Sequence, residues 1–265
     1  MRPVRFTKMS GAGNDFVVLD AEGALALAPD PAAWARAVCR RGLSVGADGV
    51  LVVQPEGNDR VRVDFMNPDG SVAFCGNGTR CAARFASVRG WCGERAVLST
   101  AVGDVPAEIH GGVVRLTLPA PSDRGELALA ACGATWRGRH VDAGVPHFVV
   151  EVEDVASAPL AAIGPVLRRD PVWGAAGSNV DLVSRAGDGA WRVRTWERGV
   201  ENETLSCGTG AIATALSARL AGAGETVRVV PASGVELTVT IGPGRATLAG
   251  DARFIFEGTL SAEAG

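Results

Sequence analysis

The sequence predicts an α+β protein of two lobes with like topology, and three observations carry that prediction. Strand-like segments with alternating apolar and polar residues dominate the chain. The two best helix starts fall at Cys75 and Cys207, half a chain apart, and each cysteine is followed by Gly-x-Gly. The approach to both is the same: an alternating strand (61–66, then 191–196), a polar turn (Asn67-Pro-Asp-Gly70, then Glu197-Arg-Gly199) and a short returning strand. An internal duplication accounts for all three, with the lobes expected to face each other across a cleft. Two copies at so long a period exclude a solenoid.

The elements follow in chain order. Gly11-Ala-Gly13 leads into Asn-Asp-Phe-Val-Val-Leu19, a strand. Pro31 to Arg40 reads as a helix, with proline suited to its first turn and Trp34 and Val38 on one face. Val61–Phe65, Val113–Leu118, Trp191–Thr195, Val227–Val230 and Leu237–Ile241 alternate at period two and read as half-buried antiparallel strands. After Cys75, residues Cys81, Phe85 and Val88 share a helical face, Arg84 and Arg89 lie near the end, and Gly90 is placed to stop it. Leu160 to Arg169 is a helix interrupted in pattern by Gly164 and Pro165. After Cys207, residues Ile212, Leu216 and Leu220 line a face, and Gly222 is the stop. The best boundary is Pro119-Ala-Pro-Ser-Asp-Arg-Gly125.

Composition narrows the function. The chain has 265 residues, of which 47% are hydrophobic and 21% charged, enough apolar material for a sizeable core. Its 26 basic and 29 acidic residues are scattered, which argues against a nucleic-acid or anionic membrane surface. No apolar run approaches the roughly 20 residues that span a bilayer, and the N-terminus lacks a secretion-type stretch, so a cytoplasmic location is expected. The six cysteines form no C-x-x-C pair and do not cluster with the three histidines, so no zinc site is expected.

Cysteine at a helix start is chemically suggestive. The first backbone N–H groups of a helix are unpaired and carry partial positive charge, and glycines there let an anion approach closely. A thiol at that point is expected to fall from about 8.5 towards neutrality. Two such units could hold one carboxylate and set a thiol on each face of the adjacent carbon. That is the arrangement for inverting a stereocentre with two bases: one thiolate removes the α-proton and the opposite thiol returns one. Backbone donors on the carboxylate would stabilise the carbanion. The competing readings are weaker. A lone cysteine in a first helical turn is usually a buried structural residue, but two in duplicate contexts are not explained that way. Gly208-Thr-Gly210-Ala-Ile-Ala213 matches a dinucleotide-binding pattern, yet no acid closely follows the next strand, as that motif needs.

The motifs taken together resemble diaminopimelate epimerases. Lys8-Met-Ser-Gly-Ala-Gly-Asn-Asp-Phe16, Leu43-Ser-Val-Gly-Ala-Asp-Gly49, Asn67-Pro-Asp-Gly-Ser71, Cys75-Gly-Asn-Gly-Thr-Arg-Cys81, Gly144-Val-Pro-His147, Gly177-Ser-Asn179 and Glu197-Arg-Gly-Val-Glu-Asn-Glu-Thr-Leu-Ser-Cys-Gly-Thr-Gly210 occur in family order. The resemblance implies conversion of LL-2,6-diaminopimelate to the meso form in lysine and cell-wall precursor synthesis, without pyridoxal phosphate, metal or other cofactor, by a homodimer. It implies two pseudo-symmetric lobes, residues 1–119 with 252–265 and residues 120–251, each a mixed or antiparallel barrel-like sheet around a central helix. Cys75 and Cys207 match the catalytic pair, with His147 and Glu197 assisting proton handling or contacting amino groups. The backbones of Gly76-Asn77 and Gly208-Thr209 match the carboxylate cradle, and Asn14, Asn67, Asn179 and Arg198 match substrate contacts. Asp15 and Asp48 read as structural turn residues.

Two positions depart from the family pattern. Val145 stands where many members carry asparagine, removing one expected substrate hydrogen bond. The segment between Ser71 and Cys75 is one residue shorter than usual, a change expected to be absorbed in the turn because a slip within a strand would flip every side chain. A sibling enzyme acting on proline, hydroxyproline or histidine is the nearest alternative, and the Gly-Asn-Asp-Phe and Glu-Arg-Gly blocks argue against the proline type.

Overall fold

The computed structural model describes residues 4–24 and 30–261. Residues 1–3 and 262–265, assigned above to the ends of the first lobe, lie outside that range. The chain divides into two compact units, one running through Leu116 and resuming at Gly250, the other spanning Thr117–Ala249. The fold is mixed α+β.

In the first unit β1 (Val4–Gly11) and β2 (Asn14–Leu19) form an antiparallel hairpin, followed by the short α1 (Ala21–Ala24). Helix α2 (Pro31–Val38) starts where Asp30 accepts the Ala33 N–H at 2.9 Å, and ends two residues before the expected Arg40. Its buried face, Trp34, Ala35 and Val38, packs in a cluster with Phe6, Val17, Leu19 and Val50. Strands β3 (Gly49–Gly57) and β4 (Arg60–Met66) pair antiparallel through Asn58-Asp59, whose φ values of 52° and 57° make a left-handed tight turn that asparagine and aspartate tolerate. The two-residue β5 (Val72–Ala73) folds back on β4 and delivers the chain to α3 (Gly76–Val88). Then come β6 (Arg95–Thr100), β7 (Gly103–His110) and β8 (Val113–Pro119), with β6 parallel to β4. Helix α3 touches β1, β2, β3, β4, β6 and β7.

The second unit repeats this order of events. Strands β9 (Ser122–Ala131), β10 (Ala134–Asp142) and β11 (Pro146–Glu151) pair antiparallel in succession. Helix α4 (Leu160–Leu167) forms despite Pro165 because Leu160, Ile163 and Leu167 are all buried in one core cluster with Phe148, Val180 and Leu182. Gly164 is there because Trp196 packs on it: an added Cβ would lie 2.8 Å from the indole. Strand β12 (Asn179–Arg185) runs parallel to β11, and β13 (Trp191–Glu197) antiparallel to β12. The short β14 (Asn202–Thr204) returns along β13 and leads to α5 (Gly208–Leu220), after which β15 (Thr226–Val230) runs parallel to β13. Strands β16 (Leu237–Gly242) and β17 (Arg245–Asp251) follow, and α5 touches β10, β11, β12, β13, β15 and β16. Strand β18 (Arg253–Leu260) pairs antiparallel with β1, back in the first unit.

Two expectations change. The alternating strands β4 and β13 are not purely antiparallel, since each has a parallel partner on the side reached through its helix. Val88 and Leu220, expected on the buried helix faces, are 64% and 50% exposed. In the last turns Phe85, Ala86 and Ala218 are still buried, so the buried faces persist to the helix ends and only the final residues, Val88 and Leu220, leave them. Both stops are as expected: Gly90 and Gly222 have φ of 74° and 96°, a region other residues rarely enter. Among the described residues, no helix is long and apolar enough to cross a membrane.

Candidate active site

Each cysteine is the N-cap of its helix. Cys75 and Cys207 hold extended backbone conformations, with φ of −134° and −125°, and each sulfur accepts the N–H two residues into the helix: Gly78 at 3.5 Å and Gly210 at 3.4 Å. The helix therefore binds a cysteine sulfur where serine or aspartate more often sits, and the partial positive charge of the first turn faces that sulfur. Gly76-Asn77 and Gly208-Thr209 occupy the first helical positions beside it.

Around Cys75 the sequence-predicted residues come together in part. Asn77 is 1% exposed and its amide donates to Asn14 Oδ1 at 2.6 Å. Asn14 in turn donates to Asp48 Oδ2 at 3.0 Å. Arg41 joins Asp15 to Asp48, lying 2.7 Å from Asp48, and Lys8 Nζ lies 2.7 Å from Asp15. Burial alone would raise the Asp15 carboxyl, but hydrogen bonds from Arg41 and Lys8 hold it below the usual carboxylate range. Asn67 is elsewhere engaged. Its amide donates to Ser71 Oγ at 3.0 Å and its backbone N–H to the Ser71 carbonyl at 2.9 Å, closing the turn between β4 and β5. The strands keep register across it, Met66 opposite Val72 and Phe65 opposite Ala73.

Sequence reasoning missed Arg80 here. It is fully buried, donates to Asn77 Oδ1 at 2.8 Å, and its Nη1 has no hydrogen-bond partner among the described residues. Burial lowers this guanidinium from its ordinary value, opposed by Cys81, Cys75 and Asp251. The available signal was an arginine set among the small residues of α3, directly before Cys81-Ala82-Ala83.

Around Cys207 the residues form one connected chain. His147 is fully buried on β11, opposite Asn179 of β12. Its Nδ1 lies 2.7 Å from Asp181 Oδ2 and its Nε2 lies 3.0 Å from Thr209 Oγ1. The Thr209 hydroxyl is 3.4 Å from Cys207 Sγ. Asp181 is fully buried, and its other oxygen accepts the Thr195 hydroxyl at 2.7 Å. Asn179 donates to the Pro146 carbonyl at 3.2 Å and accepts the Arg198 backbone N–H at 2.8 Å. It therefore ties the Val145-Pro146-His147 loop to the Arg198 turn, although Val145 offers no side-chain hydrogen bond. The Arg198 guanidinium makes no hydrogen bond or ion pair among the described residues. Asp181 escaped the sequence reading; its signal was a carboxylate inside the apolar run Asn179-Val-Asp-Leu-Val183, every residue of which is buried.

The expected lowering of both thiols is not what the Cys207 surroundings produce. Burial pushes the Cys207 thiol well above its ordinary value, and the charges of Glu197 and Asp181 add to that; the bonds from Thr209 and Gly210 oppose it without overcoming it. The helix dipole is outweighed because desolvation penalises a buried thiolate more than one helix terminus favours it. Among the described residues, no cluster of three or more histidine, cysteine, aspartate or glutamate side chains is placed to hold a metal ion.

The family model described as diaminopimelate epimerase matches residues 6–114 and 139–255. Diaminopimelate epimerase of Gemmatimonas aurantiaca is 38% identical, over 97% of this chain and 99% of that protein. The Aquifex aeolicus enzyme of the same name is also 38% identical, over 98% of this chain and 99% of its own length. Among solved structures, a hydroxyproline epimerase from Agrobacterium vitis superposes with a TM-score of 0.70 at 17% identity, over 99% of this chain and 93% of that one. That likeness shows a common fold.

Proposed function

This chain belongs to the diaminopimelate epimerase family, whose members are isomerases, and from that premise we propose that it interconverts LL- and meso-2,6-diaminopimelate by a two-cysteine route without a cofactor. The observation that carries the mechanism is the pair of helix starts in which Cys75 and Cys207 each cap a helix with sulfur. One thiolate takes the α-proton, and the other thiol supplies a proton to the opposite face of the same carbon. The carbanion between these steps is stabilised through the α-carboxylate by the first-turn backbones of Gly76-Asn77 and Gly208-Thr209.

The remaining residues divide the substrate between them. Arg198, whose guanidinium has no protein partner among the described residues, offers a bidentate fork to the distal carboxylate. Asn14 and Asn179 supply amides that are already oriented by Asp48 and the Arg198 backbone. Asn67 contributes by its backbone or after releasing Ser71. His147 and Glu197 serve Cys207, the first through Thr209 and the second through its charge. The repeated strand–turn–strand–helix order supports two lobes, 1–119 with 252–265 and 120–251, as copies of one ancestral unit, each a barrel-like sheet around its helix. The family resemblance extends this to a cytoplasmic homodimer.

The test is epimerisation in deuterated water. Cys75→Ala and Cys207→Ala are each expected to abolish turnover of diaminopimelate, and near wild-type turnover by both would end the two-thiol mechanism. A panel including proline and hydroxyproline completes it: turnover of another amino acid with none of diaminopimelate would reassign the substrate.

A further inference from the structure

We propose that Asp181 is a positioning residue that fixes the tautomer of His147 and makes it the far end of a proton relay to Cys207 through the Thr209 hydroxyl. The inference rests on the reading of Cys207 as a catalytic thiol.

The hydrogen-bond network assigns the tautomer. The Arg198 backbone N–H can only donate, so the Asn179 oxygen faces it at 2.8 Å. The Pro146 carbonyl can only accept, so the Asn179 nitrogen faces it at 3.2 Å. Those two backbone anchors leave Asn179 Nδ2 as the group 3.3 Å from His147 Nε2, and a donor there requires a lone pair on the ring nitrogen. His147 therefore carries its proton on Nδ1 and donates it to Asp181 Oδ2 at 2.7 Å. Thr195 anchors the other carboxylate oxygen at 2.7 Å, so the carboxylate cannot swing. With Nε2 accepting, the Thr209 hydroxyl donates to it across 3.0 Å and turns its own lone pairs towards Cys207 Sγ, 3.4 Å away.

This chain gives the Cys207 proton a destination. The proton leaves Cys207 Sγ for Thr209 Oγ1 while the Thr209 hydroxyl proton passes to His147 Nε2. The sulfur keeps the S–H electron pair as a thiolate, and the imidazolium is balanced by the Asp181 carboxylate. The reverse transfer returns the thiol. Burial and neighbouring carboxylates favour the thiol at Cys207, so a buried acceptor beside it makes the thiolate reachable without bulk water.

The wild-type protein tests the assignment directly. In side-chain 15N spectra, with the His147 signals identified by their loss in His147→Gln, Nδ1 is expected in the protonated range and Nε2 in the unprotonated range. An Nε2-protonated ring would overturn the proposal, whatever the variants do. Asp181→Asn can donate to Nδ1 and should swap the tautomer, lowering kcat by about 10²–10⁴-fold with KM changed less than about twofold. A folded Asp181→Asn with unaltered ring signals and wild-type kcat would overturn it too. Should that variant not fold, Thr209→Val against Thr209→Ser decides: the hydroxyl-free variant should lose kcat at least about tenfold relative to serine, and equal rates would refute the relay. The Cys207→Ala result separates the two levels. Full activity without Cys207 removes the two-thiol reading, whereas an inactive Cys207→Ala beside a fully active Asp181→Asn removes only the relay.

Discussion

Replacing Gly210 by alanine should cost far more than the same change at Gly78, although the two glycines occupy equivalent positions of their Cys-Gly-x-Gly motifs. A Cβ on Gly210 would lie 2.8 Å from Asp181 Oδ1, 3.1 Å from Thr195 Oγ1 and 3.3 Å from Cys207 Cβ. None of these atoms can give way. Asp181 is held at both oxygens and has no exposed surface, and Thr195 is 3% exposed. Overpacking of a tight site costs about 1–3 kcal/mol. Stretching or breaking the Thr195–Asp181 hydrogen bond adds about 1.5–3 kcal/mol because the acceptor is charged. Alanine regains about 1 kcal/mol of helix propensity. The net destabilisation is about 1.5–5 kcal/mol, or roughly 3–20 °C in Tm for a chain of this size.

At Gly78 the nearest atom is Leu51 Cδ2 at 3.2 Å, followed by Phe16 Cε1 at 3.4 Å. A leucine methyl moves by tenths of an ångström at little cost, so Gly78→Ala should stay within about 1 kcal/mol of wild type. Thermal and urea unfolding of both variants provides the comparison, with epimerase turnover measured on the folded fraction. Equal stability of the two variants would show that the Asp181 carboxylate is not the rigid floor of the α5 start.

Two further outcomes follow from the site. Arg198→Lys should raise KM for diaminopimelate about 10–100-fold with a smaller change in kcat, because a point charge replaces a bidentate fork; an unchanged KM would remove Arg198 from substrate binding. The Cys207 thiol, raised above its unfolded value by burial and by Glu197 and Asp181, should be alkylated by iodoacetamide with an inflection above the ordinary thiol range. Since its folded pKa is the higher one, its contribution to stability is complete below the unfolded thiol pKa and lost as pH rises through the folded value, so Cys207→Ala should flatten the alkaline fall in stability. Half-maximal alkylation at or below pH 8 would contradict the burial argument.

Much of this was legible in the chain because it is local. Helix starts depend on a capping side chain and the glycines beside it, so Cys-Gly-x-Gly located α3 and α5 to the residue. Strand alternation reports burial on one face, and it placed β4, β8, β13, β15 and β16. Across the turn at Asn67–Ser71 the strands pair with Met66 opposite Val72 and Phe65 opposite Ala73.

What local pattern could not reveal depends on neighbours far along the chain. Which strands run parallel is set by the crossover through each helix, and alternation is the same in either direction. Val88 and Leu220 sit at the right helical spacing yet are exposed, as the final residues of α3 and α5. The sequence by itself determined that two cysteines would each open a helix. Only the tertiary structure decided what surrounds them: β12 brings Asp181 beneath His147, while at the other helix α3 buries its own Arg80. A thiol's proton affinity is the balance of desolvation and charges brought together by folding, and that is why two equal motifs hold sulfurs in unlike settings.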